Sequence, residues 1–342
     1  MVKQRLLSRL AFCASFFALA VIALGAFTRL IDAGLGCPDW PGCYGQMTVP
    51  LTPAAQKLAS LHYPSTQLVA YKAWAEMIHR YFVGGLSVFI MIIITAIFSR
   101  KTLRTHCNVM LAIGLILLLS YQIMLGQWTV TLKLLPIIVS QHLLGGYLIL
   151  SILWLIYLNN SLSDSIKQTL SVSRILPWAI LGLIFLLWQI MLGAWTSTNY
   201  ASLSCADFPF CINERSMTWH FKEAFNLFSP LGMNYEGGVL SVAIRQTIQM
   251  VHRGGALILM FYWMVFAAIA SLQLKQRPDL LKSLYIVLGL LCVQLCLGIS
   301  NIIFKLPLTV AMSHTLVAAL LLISLITFIF KLMSVHRGAS TT

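Results

Sequence analysis

The stretch Glu76-Met77-Ile78-His79 stands near the start of a long apolar run and returns later in the chain as Gln249-Met250-Val251-His252. Residues three apart share one face of a helix, so the acid and the histidine can point at one ligand. The second copy keeps the histidine and has glutamine in place of the acid. The recurrence of this polar face in an apolar run indicates a duplicated membrane protein.

The composition around this stretch is that of an integral membrane protein. The chain has 342 residues, of which 59% are hydrophobic and only 9% are charged. About 20 apolar residues are needed to cross the hydrocarbon of a bilayer. Eight runs meet this requirement, at 11–31, 73–98, 109–132, 137–158, 175–198, 248–270, 284–304 and 310–333. The first run follows a basic segment, but no small-residue cleavage site comes after it, so a retained span is favoured over a cleaved leader.

The net charge of +14 is explained by its distribution along the chain. In an eight-span arrangement thirteen basic residues fall on one side of the membrane and face only Asp164 and Asp279. They are Lys3, Arg5, Arg9, Arg100, Lys101, Arg104, Lys167, Arg174, Lys275, Arg277, Lys282, Lys331 and Arg337. An excess of lysine and arginine marks the cytoplasmic side. The charge therefore predicts a multi-pass protein of a cytoplasmic (inner) membrane with both termini inside, and it does not indicate a nucleic-acid partner.

The duplication extends over most of the chain. Residues 24–28, Leu-Gly-Ala-Phe-Thr, match residues 192–196, Leu-Gly-Ala-Trp-Thr, at an offset of 168, and further matches follow at offsets of 172 and 173. Four spans return the chain to its starting side, so both copies share one orientation. The sequence predicts an all-α integral membrane protein of eight transmembrane helices. They form two tandem four-helix bundles, 1–160 and 161–342, related by a pseudo-two-fold axis along the membrane normal.

Four histidines lie inside predicted spans two, four, six and eight: His79, His142, His252 and His314. Each comes a few residues after its span begins, which at 1.5 Å per residue places it about 10 Å below the outer surface. Equal depth allows His79 to face His142 and His252 to face His314. Two imidazoles across a bundle can bind a haem iron axially from opposite faces. A metal site without porphyrin is the weaker alternative, because the first shell of a zinc or copper centre is missing.

Other residues near these histidines fit a large planar ligand. Glycine pairs follow three of them, at 84–85, 145–146 and 254–255, although alanines replace the pair after His314. Small residues let a macrocycle approach the backbone, or simply let helices pack. Arg80 and Arg253 directly follow histidines and could pair with propionate carboxylates, or extend to the outer surface.

Glu76 is the residue that most sharply indicates catalysis. An acid within the membrane is energetically expensive, and by default it suggests function. Such a carboxyl group could accept a proton or pass one on. The competing interpretation is a structural hydrogen bond near the interface.

Two cysteine pairs with equal spacing occur in the long external loops. Cys37 and Cys43 precede the second span, and Cys205 and Cys211 precede the sixth. The space outside the cytoplasmic membrane is oxidising, so two disulfides within loops are the economical interpretation. A redox-active role remains an alternative for the first pair, which lies in the half that carries the acid.

Taken together, these motifs resemble the haem A synthase family. The resemblance rests on the tandem four-helix units, the acid and histidine of residues 76 and 79, one histidine in every second span, and the paired cysteines flanking Pro-Asp-Trp-Pro. It covers the chain from about Gly25 to His314. The loop cysteines indicate the cysteine-containing bacterial type.

The resemblance implies a haem-dependent membrane oxidoreductase that oxidises a methyl group of haem O to a formyl group, giving haem A for terminal oxidases. It implies that His79 and His142 bind the substrate haem, that Glu76 is catalytic, and that His252 and His314 hold a permanent haem b. Dioxygen is the implied oxidant, and the enzyme that makes haem O and oxidase assembly factors are the implied partners beside membrane lipid.

Two other functions fit parts of the pattern. A non-catalytic membrane protein with two b haems also uses histidine pairs in a bundle, although haems that carry electrons across a membrane lie at different depths. A transporter would fit the duplication, but broken helices and polar residues at the midplane are not evident.

Overall fold

The computed structural model describes residues 2–161, 174–209, 211 and 218–339. Over these residues the ordered secondary structure is helical, with one isolated β-bridge between Cys43 and Gln46. The helices are α1 (Val2–Leu30), α2 (Pro53–His62), α3 (Ala70–Ser99), α4 (His106–Thr131), α5 (Pro136–Ser161), α6 (Leu176–Thr198), α7 (Phe221–Ala224), α8 (Val242–Gln273), α9 (Pro278–Ile303) and α10 (Leu308–Ala339).

Eight of these helices are long and apolar enough to cross a membrane, as the sequence predicts. They are α1, α3, α4, α5, α6, α8, α9 and α10, and they coincide with the predicted spans. The largest boundary difference is at α1, which begins at Val2, nine residues before the predicted start, and α8 and α9 each begin six residues before theirs, at Val242 and Pro278. Apolar length marks where a helix crosses the bilayer, whereas backbone hydrogen bonding continues beyond it.

Local sequence explains where several helices begin and end. The side chain of Thr105 caps α4 by accepting the Asn108 N–H at 3.2 Å. Both α4 and α9 are followed by a lysine and a leucine with positive φ, at 133–134 and 305–306. The N–H of Leu134 then donates to the Thr129 carbonyl at 2.8 Å, and that of Leu306 donates to the Asn301 carbonyl at 2.7 Å. These tight ends make α4–α5 and α9–α10 into helical hairpins.

The most extensive contacts between helices lie within each half of the chain. Helix α1 packs against α3 and α5, and α4 packs against α5; α6 packs against α8, and α9 packs against α10. The two halves meet through α1, α5, α6 and α10. Buried hydroxyl and indole groups bridge them: Tyr147 donates to the Thr315 carbonyl at 2.7 Å, and Trp154 donates to Thr327 at 2.8 Å. One large apolar core, which includes residues of all eight spans, occupies the centre.

Some sequence predictions concern features at the ends of helices and in the loops. The pattern of residues 217–228 predicts an amphipathic helix, but the structure has only the single turn Phe221–Ala224, with Met217 outside the described residues. Asp164 and Lys167 of the predicted cytoplasmic side also lie outside the described residues. The division into bundles at 160, the pseudo-two-fold axis and the orientation of the termini remain predictions.

Candidate functional site

Each of the four histidines packs against a glycine on a neighbouring helix. A Cβ atom built on that glycine would lie close to the Cε1 atom of the imidazole: 3.1 Å for Gly25 and His79, 3.6 Å for Gly126 and His142, 3.2 Å for Gly193 and His252, and 3.2 Å for Gly298 and His314. Even an alanine at three of these glycines would press on the ring. The same cradle therefore occurs four times, twice in each half of the chain.

The structure brings the histidines together in the predicted pairs. His79 and His142 are close enough for the charge on one to act on the other, and so are His252 and His314. His79 lies in the third turn of α3 and His252 in the third turn of α8, whereas His142 and His314 lie in the second turns of α5 and α10. Each half therefore holds one histidine pair.

The ring nitrogens are poorly satisfied by the protein itself. The Nδ1 atoms of His79, His142 and His314 are buried and have no hydrogen-bond partner. Buried polar groups are normally paired, so an orphaned ring nitrogen suggests an absent partner. Across the described residues, no group of three or more His, Cys, Asp or Glu side chains is placed to hold a metal ion. Paired imidazoles with glycine cradles and unpaired nitrogens fit axial ligands of haem iron.

Of the predicted glycine pairs, one member is open and the other is covered. Cβ atoms on Gly84, Gly146 and Gly254 would meet nothing within 4 Å. Those on Gly85, Gly145 and Gly255 would meet the side chains of Phe17, Gln122 and Gln189 respectively. The open members leave free space beside the histidine helices, as a flat ligand requires.

Glu76 is buried, with 5% of its surface exposed, and it faces the loop that carries Cys37 and Cys43. Its Oε2 atom accepts the backbone N–H of Cys37 at 2.9 Å, and its Oε1 atom lies 2.5 Å from Nη2 of Arg80. The carboxylate therefore joins helix α3 to the disulfide loop through one neutral and one charged donor.

Gln249 performs the same anchoring task in the second half. Its Oε1 atom accepts the N–H of Cys205 at 2.6 Å, and its Nε2 atom donates to the Ser202 carbonyl at 2.6 Å. The Nη2 atom of Arg253, which forms no ion pair with the described residues, donates to the Cys205 carbonyl at 2.6 Å. Because an amide can also hold the loop, anchoring alone does not explain why residue 76 is an acid. Glu76 differs from Gln249 in its charge.

Both arginines of the predicted propionate sites are engaged by the loops. Arg80 donates to the carbonyl oxygens of Asp39 at 3.0 Å, Pro41 at 3.1 Å and Gly42. Arg253 donates to the carbonyls of residues 205, 207 and 209. The pairing of these arginines with propionates stays a prediction, and the structure adds a second task that the sequence pattern did not indicate.

The two predicted disulfides, Cys37–Cys43 and Cys205–Cys211, are present, with Cα atoms 4.8 and 5.4 Å apart. Cys37 and Cys43 are fully buried, which favours the structural over the redox interpretation of the first pair. Asp39 closes this loop by accepting the N–H of Tyr44 at 2.6 Å and that of Gly45 at 2.8 Å. Burial raises the pKa of the Tyr44 phenol further above neutral pH.

A polar contact between the halves was not predicted. The guanidinium of Arg29 lies 4.0 Å from the centre of the Tyr200 ring, donates to the Ser197 carbonyl, and forms a 3.2 Å ion pair with Asp32. The hydroxyl of Tyr200 donates to Asp32 at 2.8 Å. Arg29 directly follows the repeated motif at residues 24–28, and Asp32 comes three residues later. This proximity to the repeat was the available sequence signal for the contact.

Comparisons with known proteins agree over almost the whole chain. The family model described as cytochrome oxidase assembly protein (COX15-CtaA) matches residues 8–326. A protein of Shewanella oneidensis named "Heme A synthase" is 41% identical over 328 residues, which covers 95% of this chain and 96% of the relative. Proteins with the same name from Bacillus licheniformis and Rhizorhabdus wittichii are each 25% identical, over 86% and 90% of this chain and 86% and 88% of theirs.

Proposed function

This chain belongs to the cytochrome oxidase assembly protein family (COX15-CtaA), and on that premise we propose that it divides the work of a haem A synthase between its two halves. It is a multi-pass membrane oxidoreductase that converts haem O to haem A for oxidase assembly. The first half, 1–160, binds haem O between His79 and His142. The second half, 161–342, holds a resident haem b between His252 and His314.

The observation that carries this division is the exchange of Glu76 for Gln249. The two side chains make the same bond to a loop N–H, from Cys37 in one half and from Cys205 in the other. The anchoring task therefore does not require an acid. A buried carboxylate in only one copy is expected where only one copy performs chemistry that moves protons.

The residues of each site have distinct tasks. The imidazoles would hold the haem iron through ring nitrogens, and the cradle glycines allow the rings to lie close to neighbouring helices. When bound, haem b supplies one-electron redox chemistry. Conversion of a methyl to a formyl group formally needs two hydroxylations and loss of water, and it consumes dioxygen, electrons and protons. Glu76 accepts or delivers protons at its carboxylate, and Arg80 stabilises the anionic form.

The first external loop helps to enclose the acid. Cys37 and Cys43 are fully buried, Glu76 bonds to the Cys37 N–H, and Arg80 holds three loop carbonyls. A disulfide loop belongs on the oxidising side of the membrane and the basic residues on the cytoplasmic side, so the site lies near the outer face of a bacterial inner membrane with both termini in the cytoplasm. Haem O enters from the lipid or directly from the enzyme that makes it, and haem A leaves toward oxidase assembly factors.

Histidine variants test the division between the halves. Each variant is purified from cells that make haem O, and its bound haems are extracted and separated by chromatography. We expect His252→Ala to lose haem b, because one axial ligand is removed from the resident site. We expect His79→Ala to keep haem b and to lose haem O binding and haem A formation.

The opposite distribution would overturn the division. If His252→Ala retained a full complement of haem b while His79→Ala lost it, the resident haem would lie in the first half. If the unmodified protein held two b haems and never formed haem A, it would be an electron carrier.

A further inference from the structure

Glutamine amides contact both histidines of the second half. Nε2 of Gln189, on α6, lies 3.0 Å from Nδ1 of His252 and donates to the His252 carbonyl at 2.9 Å. Nε2 of Gln294, on α9, lies 3.2 Å from Nε2 of His314. Each amide contacts one ring nitrogen and leaves the other one available. Both imidazoles of this pair are therefore held by a neighbouring helix.

Among the described residues, no glutamine amide contacts a histidine of the first half. Val21 occupies the position that corresponds to Gln189 at the repeat offset of 168, and its side chain cannot form a hydrogen bond, so His79 has only the Val21 backbone as a partner there. Gln122 corresponds to Gln294 at the offset of 172, but its Nε2 atom is buried without a partner. Within the described part of the chain, no side chain forms a hydrogen bond to His79 or His142, and their Nδ1 atoms are unpaired.

Steric differences explain why the two halves diverge. Gln189 lies over Gly255, where a Cβ atom would come within 2.3 Å of its Oε1 atom. The corresponding residue of the first half is Phe82, which stacks on Phe17 with ring centres 5.4 Å apart. The glycine in the second half therefore makes room for an amide that the aromatic residue excludes in the first half.

The other pair of glutamines shows the reverse arrangement. Gln122 lies over Gly145, where a Cβ atom would come within 1.7 Å of its Nε2 atom. Val317 stands at the corresponding position of the second half. A valine side chain denies this place to Gln294, which lies against His314 instead. The same residue type thus has two orientations, set by the residue one turn after the histidine.

Building on the division of function above, we propose that Gln189 and Gln294 are positioning residues that hold His252 and His314 for a resident haem. The first half lacks equivalent amide contacts, so its imidazoles release the haem after it has been converted. The two sites share their ligands and their cradles, and they differ in these amides. The difference matches their tasks, since one haem stays and the other leaves as product.

The chemistry of imidazole ligation supports this assignment. A histidine that binds metal through one ring nitrogen usually donates the proton on its other nitrogen to a partner, which fixes the tautomer and the ring orientation. An amide can present its oxygen or its N–H group to the ring. The Oε1 atoms of Gln189 and Gln294 are buried and have no partner, so each amide has an unused acceptor.

Haem retention is the direct test. Full-length Gln189→Val and Gln294→Val variants are purified with haem b bound, and transfer of haem b to excess apomyoglobin is followed by absorbance. We expect transfer about 10- to 100-fold faster than in the unmodified protein, as is typical when a partner of a metal-binding histidine is removed. The reduction potential of haem b should also shift. Gln189→Glu, which keeps an acceptor, should restore slow transfer.

Gln122→Val is the matched control. It removes the same side chain at the corresponding repeat position, where no histidine is contacted, so transfer of haem b should not change.

Transfer from the Gln189 and Gln294 variants at the unmodified rate would overturn the proposal. An equal acceleration in Gln122→Val would also overturn it, because the effect would then report general loosening of the fold. A variant that fails to fold is replaced by the shorter amide, Gln189→Asn, for which an intermediate rate is expected and an unchanged rate contradicts the proposal.

This test separates the inference from the proposed function. If His252→Ala loses haem b but the glutamine variants retain it at the normal rate, the resident site is correctly assigned and the amides do not position its ligands. If His252→Ala keeps haem b, the assignment of the resident site itself is wrong.

Discussion

The replacement Glu76→Gln removes a charge while preserving the anchor that the structure requires. Glutamine can accept the Cys37 N–H as Gln249 accepts the N–H of Cys205. The substitution removes the negative charge that faces Arg80. The side chains of Arg80 and Glu76 are only 14% and 7% exposed, respectively. Hydrogen bonds to charged groups contribute about 1.5–3 kcal/mol and neutral ones about 0.5–1.5 kcal/mol. The expected loss of stability is therefore about 1–2 kcal/mol.

The expected loss of activity is much larger than this loss of stability. A positioned general acid or base contributes about a hundred-fold to ten-thousand-fold to a rate. Glu76→Gln should therefore keep both haem sites loaded and suppress haem A formation by at least about a hundred-fold. The assay compares bound haem O, haem A and haem b by extraction and chromatography, with thermal unfolding measured on the same samples.

A companion variant distinguishes charge from anchoring. Glu76→Ala leaves the Cys37 N–H and the buried guanidinium of Arg80 without this partner, and loss of one member of a buried pair costs about 3–5 kcal/mol. It should lose both stability and product, whereas Glu76→Gln should lose mainly product. Haem A at the unmodified level in Glu76→Gln would refute the reasoning, because the acid would then serve only to hold the loop.

Three further perturbations follow from the geometry. Gly193→Val places side-chain atoms beyond a Cβ that would already lie 3.2 Å from the His252 ring. Haem b occupancy, measured by absorbance, should fall severalfold, while Gly289→Val, which faces open space, should not change it. The double variant Cys37→Ser/Cys43→Ser should lower the stability by about 2–4 kcal/mol and retain haem A formation in the folded fraction. Loss of product from folded, haem b-loaded protein would instead indicate a redox role for this pair. Added dithiothreitol should leave the buried first disulfide intact, and thiol labelling of the folded protein reports whether it does.

Much of the fold was predictable because membrane spans and repeats have strong sequence signals. Eight apolar runs correspond to eight long helices, since only helices satisfy the backbone inside a bilayer without closing a barrel. The cysteine pairs were also predictable, from their equal spacing and their places in the two long loops. The helix α2, Pro53–His62, was missed because it has only 10 residues and its leucines, Leu58 and Leu61, are exposed.

The candidate site was predictable in its ligands and not in the contacts around them. The depth and the spacing of the four histidines indicated two pairs before the structure was known. That Glu76 and Gln249 both anchor loops depends on side-chain directions that a helix pattern does not specify. The orientations of Gln122 and Gln294 differ because Gly145 and Val317 differ on another helix, and such a steric effect needs the packed structure.

The central claim is that this chain makes haem A at the half that carries the acid. Its most direct test is to express the protein with a source of haem O in a host that makes no haem A, and then to extract the haems and separate them by chromatography. We expect haem A to appear with the unmodified protein and haem O to accumulate in its place with Glu76→Gln. Persistent haem O and bound haem b with no haem A from the unmodified protein would contradict it.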